Sequence, residues 1–90
     1  MSHEMEIQLD ARHLAERREA HAYLQSMLSL PDYYGKNLDA LYDCLSEQTD
    51  LSLVLLHGRE AEQMGNYYKK LRRVLADAAV DNPGLTVEER

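Results

Sequence analysis

Three carboxylates spaced by four, Asp39, Asp43 and Glu47, are the residues of this sequence whose pattern most suggests chemistry. On a helix that spacing sets them in one stripe. Between Asp32 and Asp50 five acids (Asp32, Asp39, Asp43, Glu47, Asp50) stand against a single base, Lys36. Like charges at i and i+4 oppose each other by a few tenths of a kcal/mol, so a helix under no other pressure would place a lysine in the stripe. Two readings stay open. The stripe is a solvated face, or it is a surface for a cationic partner, with Tyr33, Tyr34 and Tyr42 as rigid, amphipathic contact area around it. Acid–base catalysis by the pair would need a cleft that separates two carboxyl pKa values. The sequence offers no such cleft, no Gly-rich phosphate loop and no nucleophile with an obvious base. No catalytic residue is therefore expected, and the chain is not read as an enzyme.

The remaining reactive side chains add little. His3, His13, His21 and His57 match no metal-ligand spacing and read as surface or boundary residues, so neither a metal nor a cofactor is expected. Cys44 is the one cysteine, which excludes an intrachain disulfide. Between an apolar and an acidic face it reads as a half-buried structural thiol, since reactive cysteines need electropositive surroundings. The run Lys69-Lys70-Leu71-Arg72-Arg73 is short and interrupted by an apolar residue, and reads as a solvated helix face rather than an RNA-binding arm. The net charge is −6 and the isoelectric point about 5.1. That balance repels phosphate backbones and anionic bilayers, so nucleic acid and membrane are poor partners and a basic protein is a natural one. No small-molecule substrate is expected. The acidic start lacks the pattern of a secretory leader, and the longest apolar run, Leu53 to Leu56, is too short to cross a bilayer, so a cytoplasmic protein is expected.

The elements that must position the stripe follow from periodicity. Met5, Ile7 and Leu9 alternate with Glu6, Gln8 and Asp10, which predicts a strand with one wet face. From Leu14 to Leu28 the pattern is helical, with Tyr23, Leu24, Met27 and Leu28 on one side, and Pro31 closes the segment. Gly35 supplies a turn. Asn37 is a good N-cap for a second helix, in which Leu38, Leu41, Tyr42 and Leu45 form the apolar face. Leu51 to Leu56 fits a central strand buried on both faces. A short helical piece near Glu60 to Met64 precedes a longer helix marked by Tyr67, Leu71, Val74, Leu75 and Ala78. Asn82-Pro83-Gly84 is a turn, and Leu85 to Glu88 a last, edge-like strand. The order β-α-α-β-α-α-β predicts one domain over residues 1–90, of the α/β class: a small three-stranded parallel sheet packed against about four helices.

The segment Leu30-Pro31-Asp32-Tyr33-Tyr34-Gly35-Lys36-Asn37-Leu38-Asp39-Ala40-Leu41-Tyr42-Asp43-Cys44-Leu45 closely resembles the signature of the barstar family of intracellular ribonuclease inhibitors. Its Tyr-Tyr-Gly, Asn-Leu-Asp-Ala-Leu and Asp-Cys-Leu pieces occur together and in register. The resemblance implies an inhibitor or immunity protein whose second helix plugs the active site of a small, basic, extracellular-type ribonuclease, one to one. An alternative is a module of the same fold that binds a different basic protein or toxin. By the resemblance, Asp43 stands where the substrate phosphate would sit and Asp39 supports it. Tyr33, Asn37 and Leu38 contact the enzyme from the helix start and preceding loop, and Asp77 makes a peripheral ion pair. Tyr42, Ser46 and Glu47 complete the implied partner-binding set. The sequence departs from the family where Tyr42 and Gln48 replace tryptophans and Glu47 replaces a glycine, changes that imply a different rim on the target.

Overall fold

The computed structural model describes residues 5–32 and 34–90. Three parallel strands form one sheet in the order β1-β2-β3, with β1 at Met5–Asp10, β2 at Leu51–Leu56 and β3 at Leu85–Glu89. Met5 pairs with Leu51 and Leu51 with Leu85, so odd-numbered residues of all three strands share one face. On that face Leu9, Leu51, Leu53, Leu55 and Leu85 are buried in the core, with Ile7 and Val87 packed against it. Glu6, Gln8, Thr86 and Glu88 on the other face are exposed.

The central strand is buried on both faces, as expected, but by different means. Leu53 and Leu55 meet the helices. Val54, on the opposite face and fully buried, lies in register between Gln8 and Glu88. Arg90 reaches across this face to Glu6 (3.6 Å) and Glu88 (3.1 Å). Long side chains from both edge strands thus shelter the valine where a larger parallel sheet would carry a second layer of helices.

Four α-helices follow the predicted order: α1 (Arg17–Met27), α2 (Leu38–Ser46), α3 (Gly58–Met64) and α4 (Tyr67–Asp81). The expected start of the first helix is corrected. Residues 11–14 form a 3-10 turn capped by Asp10, and α1 begins only after Glu16, whose extended backbone frees its carboxylate to accept the Arg18 and Glu19 N–H groups. The helical spacing read from Leu14 spans both pieces. Leu24 is buried, as expected; Met27, expected on the same side, is 37% exposed, while Ala20 and His21 are buried.

At α2 the Asn37 side chain accepts the Ala40 N–H at 2.7 Å, as an N-cap should. Leu41 and Leu45 are fully buried. The helix exit is held from outside. The Asn82 amide, at the end of α4, donates to the Leu45 and Gln48 carbonyls, both at 2.9 Å, and its oxygen accepts the Gly84 N–H. The Leu45 carbonyl, which also accepts the Gln48 N–H at 3.2 Å, and the Gln48 carbonyl just beyond α2 are thereby both tied to the end of α4. Asn82→Ala removes both bonds and takes from the Gln48 carbonyl its donor, and the expected outcome is a loss of about 1–3 kcal/mol, measured by urea unfolding.

Candidate protein-binding site

The outward face of α2 is built by the same alternation that buries Leu41 and Leu45. Asp39, Asp43, Ser46 and Glu47 are exposed, and Leu38 and Tyr42 are half-buried at the border. Asp39 lies in the first turn, where the helix dipole favours an acid. Ser46 donates its hydroxyl back to the Asp43 carbonyl at 2.8 Å. Asn37 and Leu38 line a shallow cleft at the helix start. Asp43 is a ridge between two further clefts: one reaches Tyr34, Gly35 and Ala40, the other Leu30, Pro31, Glu47 and Gln48. Tyr33 lies outside the described residues.

Helix α4 brings a second set of acids to the same surface. The Tyr42 hydroxyl donates to Asp81. Its proton is held more tightly than a free phenol's, first by that bond, then by burial and by the charges of Asp81, Asp77 and Asp43. Asp77 therefore lies close enough to Tyr42 for its charge to act there. Asp81 was overlooked, although Asp77 and Asp81 show the same spacing by four that drew attention to α2. Among the described residues none of Asp39, Asp43, Glu47, Asp77 and Asp81 has a basic partner within ion-pair distance. Elsewhere bases do find acids: Arg12 meets Asp10 at 2.7 Å and Arg72 meets Glu62 at 2.6 Å. Five carboxylates without a basic partner, three of them close enough to act on Tyr42, form a surface suited to receive cationic groups.

Cys44 is half-buried, as expected, and burial, with help from Glu47 and Asp43, pushes its thiol pKa up. Of the basic run on α4, Lys69, Lys70 and Arg73 are exposed, whereas Arg72 is half-buried and also approaches Glu89 at 3.5 Å. Among the described residues no group of three or more His, Cys, Asp or Glu is arranged to hold a metal ion, and no helix is long and apolar enough to cross a membrane.

Two expectations are corrected by one cluster. Tyr34 is not contact area: it is only 5% exposed. His21 is not a boundary residue: at 1% exposure it is the one buried polar side chain among the described residues. Its Nδ1 lies 2.5 Å from the Tyr34 hydroxyl and its Nε2 2.6 Å from the Tyr67 hydroxyl. A neutral imidazole donates from one nitrogen and accepts at the other, so both tyrosines are satisfied at once. The triad ties α1, the loop before α2 and the start of α4 together. No spacing in the sequence links positions 21, 34 and 67; only the tertiary fold does.

Residues 4–88 match the sequence profile of the family described as Barstar (barnase inhibitor). The chain belongs to the barstar family. Its fold agrees, with three parallel strands and four α-helices on one face. A protein of Bacillus subtilis (strain 168) named "Putative ribonuclease inhibitor YrdF" is 46% identical over 48 residues, and the match covers 53% of this chain and 53% of that protein. This barstar-family chain thus matches about half the length of that relative.

The buried histidine makes stability depend on pH. Burial, reinforced by Arg17, holds the His21 pKa below its ordinary 6.5. The unfolded chain then takes up a proton that the folded one refuses. The contribution is present above pH 6.5 and is lost as pH falls below it. Asp10, held down to about 2 mainly by its bond to Arg12, contributes above its ordinary 3.8 and loses this only as pH falls toward 2, so it does not act in the same window. The thermal midpoint is expected to fall between pH 7 and pH 5. His21→Gln lowers the midpoint at pH 7 and flattens that dependence, as calorimetry across the range checks.

Proposed function

We propose that this chain is an inhibitor of a small, basic, barnase-like ribonuclease of the extracellular type. In this reading it acts as an immunity protein in the cytoplasm, one to one, by laying α2 across the enzyme's active site. Membership of the barstar family and the printed name of the Bacillus relative support a ribonuclease as the partner. The observation that carries the mechanism is the row of exposed, unpaired carboxylates on α2, widened by Asp77 and Asp81. A ribonuclease site is built to hold phosphate, so its cationic donors are ready to accept a presented carboxylate. Asp43 is the phosphate mimic, since it stands proud between two clefts. Asp39 supports it, and Tyr33, Asn37 and Leu38 engage the enzyme at the helix start. Tyr42, Ser46, Glu47 and Asp77 form the rim. A glutamate at position 47, where the family resemblance led us to expect glycine, adds bulk and charge and keeps open a second partner: a different basic protein met by the same face.

Asp43 is exposed and fills no hole in the core, so Asp43→Ala leaves the thermal midpoint nearly unchanged. Binding falls by about 2–5 kcal/mol, a magnitude set by charge pairs of the barnase–barstar kind rather than derived from this chain, because the enzyme's cations are left buried and unpaired. Most of the loss is faster dissociation. Capture from lysate on wild-type and Asp43→Ala columns, followed by inhibition assays on the recovered nuclease, checks this. Retained inhibition with a large fall in midpoint makes Asp43 structural. Wild-type capture of a basic protein without nuclease activity favours the second partner.

Steering gives an independent check. Exposed charges are screened beyond about 8 Å at physiological ionic strength, so association slows strongly as salt rises. Stopped-flow on-rates that ignore salt would rule out the acidic face as the docking surface.

A further inference from the structure

The acidic surface ends at the start of α2, and beyond it the charge reverses. Arg17 and Arg18 from the first turn of α1 line, with Lys36, a cleft of about 340 Å3 beside His21. A second cleft shares Arg17 and adds Lys70 of α4, and its other wall is Asn37, Leu38 and Asp39. Three separate segments thus bring four cations around the entrance of α2. Among the described residues none of the four has an ion-pair partner. The one acid lining the first cleft, Glu16, already accepts the Arg18 and Glu19 N–H groups as the cap of α1. Lys36 is held at φ 54°, a backbone conformation that L residues rarely adopt.

In a protein of net charge −6, four bases gathered in one place call for an explanation. The two acids that line the clefts, Glu16 and Asp39, are a helix cap and part of the α2 face, and neither is in ion-pair distance of these bases; Arg17 at a helix N-terminus also opposes the dipole. We propose that this cationic cleft receives an acidic side chain of the same protein partner that α2 engages, and so helps to choose among ribonucleases. The reading rests on α2 being the docking face, from which the cleft is continuous through Asn37 and Asp39. A partner that suits both parts carries a basic active site and, beside it, an aspartate or glutamate on its rim. The surface is therefore dipolar, and a complementary dipole fixes the orientation of docking as well as its strength.

The proposal predicts a sign opposite to simple net-charge attraction. Arg17→Glu with Lys36→Glu makes the chain more acidic, which would tighten binding to a uniformly basic enzyme. The expected result is instead a dissociation constant at least about tenfold weaker for the purified ribonuclease recovered through α2. The thermal midpoint is retained, since an acid in the first turn suits α1. Unchanged or tighter binding overturns the proposal. Should the reversal fail to fold, Arg17→Gln with Lys36→Gln is expected to weaken binding less, and no change again overturns it. A fluorescent RNA tetranucleotide bound by the wild type and released by the double variant would make the occupant a phosphate and also overturn it. Asp43→Ala is measured in parallel. If it weakens binding and the double variant does not, only the cleft is refuted; if it leaves binding intact, the α2 reading falls and the cleft with it.

Discussion

The burial of Leu41 and Leu45 is the interaction on which the rest of this molecule depends. It fastens a nine-residue helix to the core and so permits the opposite face to be filled with charges that repel one another. The magnitudes decide the matter. Each fully buried leucine contributes about 1.5–3 kcal/mol, while each i, i+4 carboxylate pair costs a few tenths. A helix this short would not persist alone in water. Anchored on one side, capped by Asn37 and tied down at its exit by Asn82, it can hold Asp39, Asp43 and Glu47 in place without any pairing to satisfy them.

The same logic explains the surroundings. Around α2 every element that touches it also fixes its position. The His21–Tyr34–Tyr67 cluster pins the loop that leads into the helix, and Tyr42 links its flank to Asp81. These contacts are polar, and those of His21 are partly or wholly removed from water, where geometry is more demanding than for apolar packing. The surface they hold carries opposite charge at its two ends. Orientation, rather than attraction alone, is built into that arrangement.

What could be read from the sequence was local. Asn37 as a cap, the Asn82-Pro83-Gly84 turn and the apolar Leu51–Leu56 strand each carry their signal within a few residues, and all three stand in the structure. The stripe on α2 was legible for the same reason. The break between the 3-10 turn and α1 was not, because helical spacing on either side of Glu16 continues in phase. His21 and Tyr34 were misplaced because their burial depends on each other and on Tyr67, a residue far along the chain. Arg17 and Lys36 look like ordinary surface bases until the fold sets them against one cleft. Pairings made only by tertiary structure leave no periodic trace.

One property of the sheet bears on when this surface comes into being. The helix that carries the stripe lies inside the crossover between β1 and β2, and Met5 finds Leu51 only after α1 and α2 have both been made. The Leu45 and Gln48 carbonyls are tied to the Asn82 amide later still, and β2 gains its second neighbour last, with Leu85–Glu89. Parallel pairing of this kind is non-local, and its loops must close before any contact rewards them. A nascent chain therefore has no finished α2 surface until Asn82 and β3 have been made. The surface is completed only when β3 joins the sheet, and all at once.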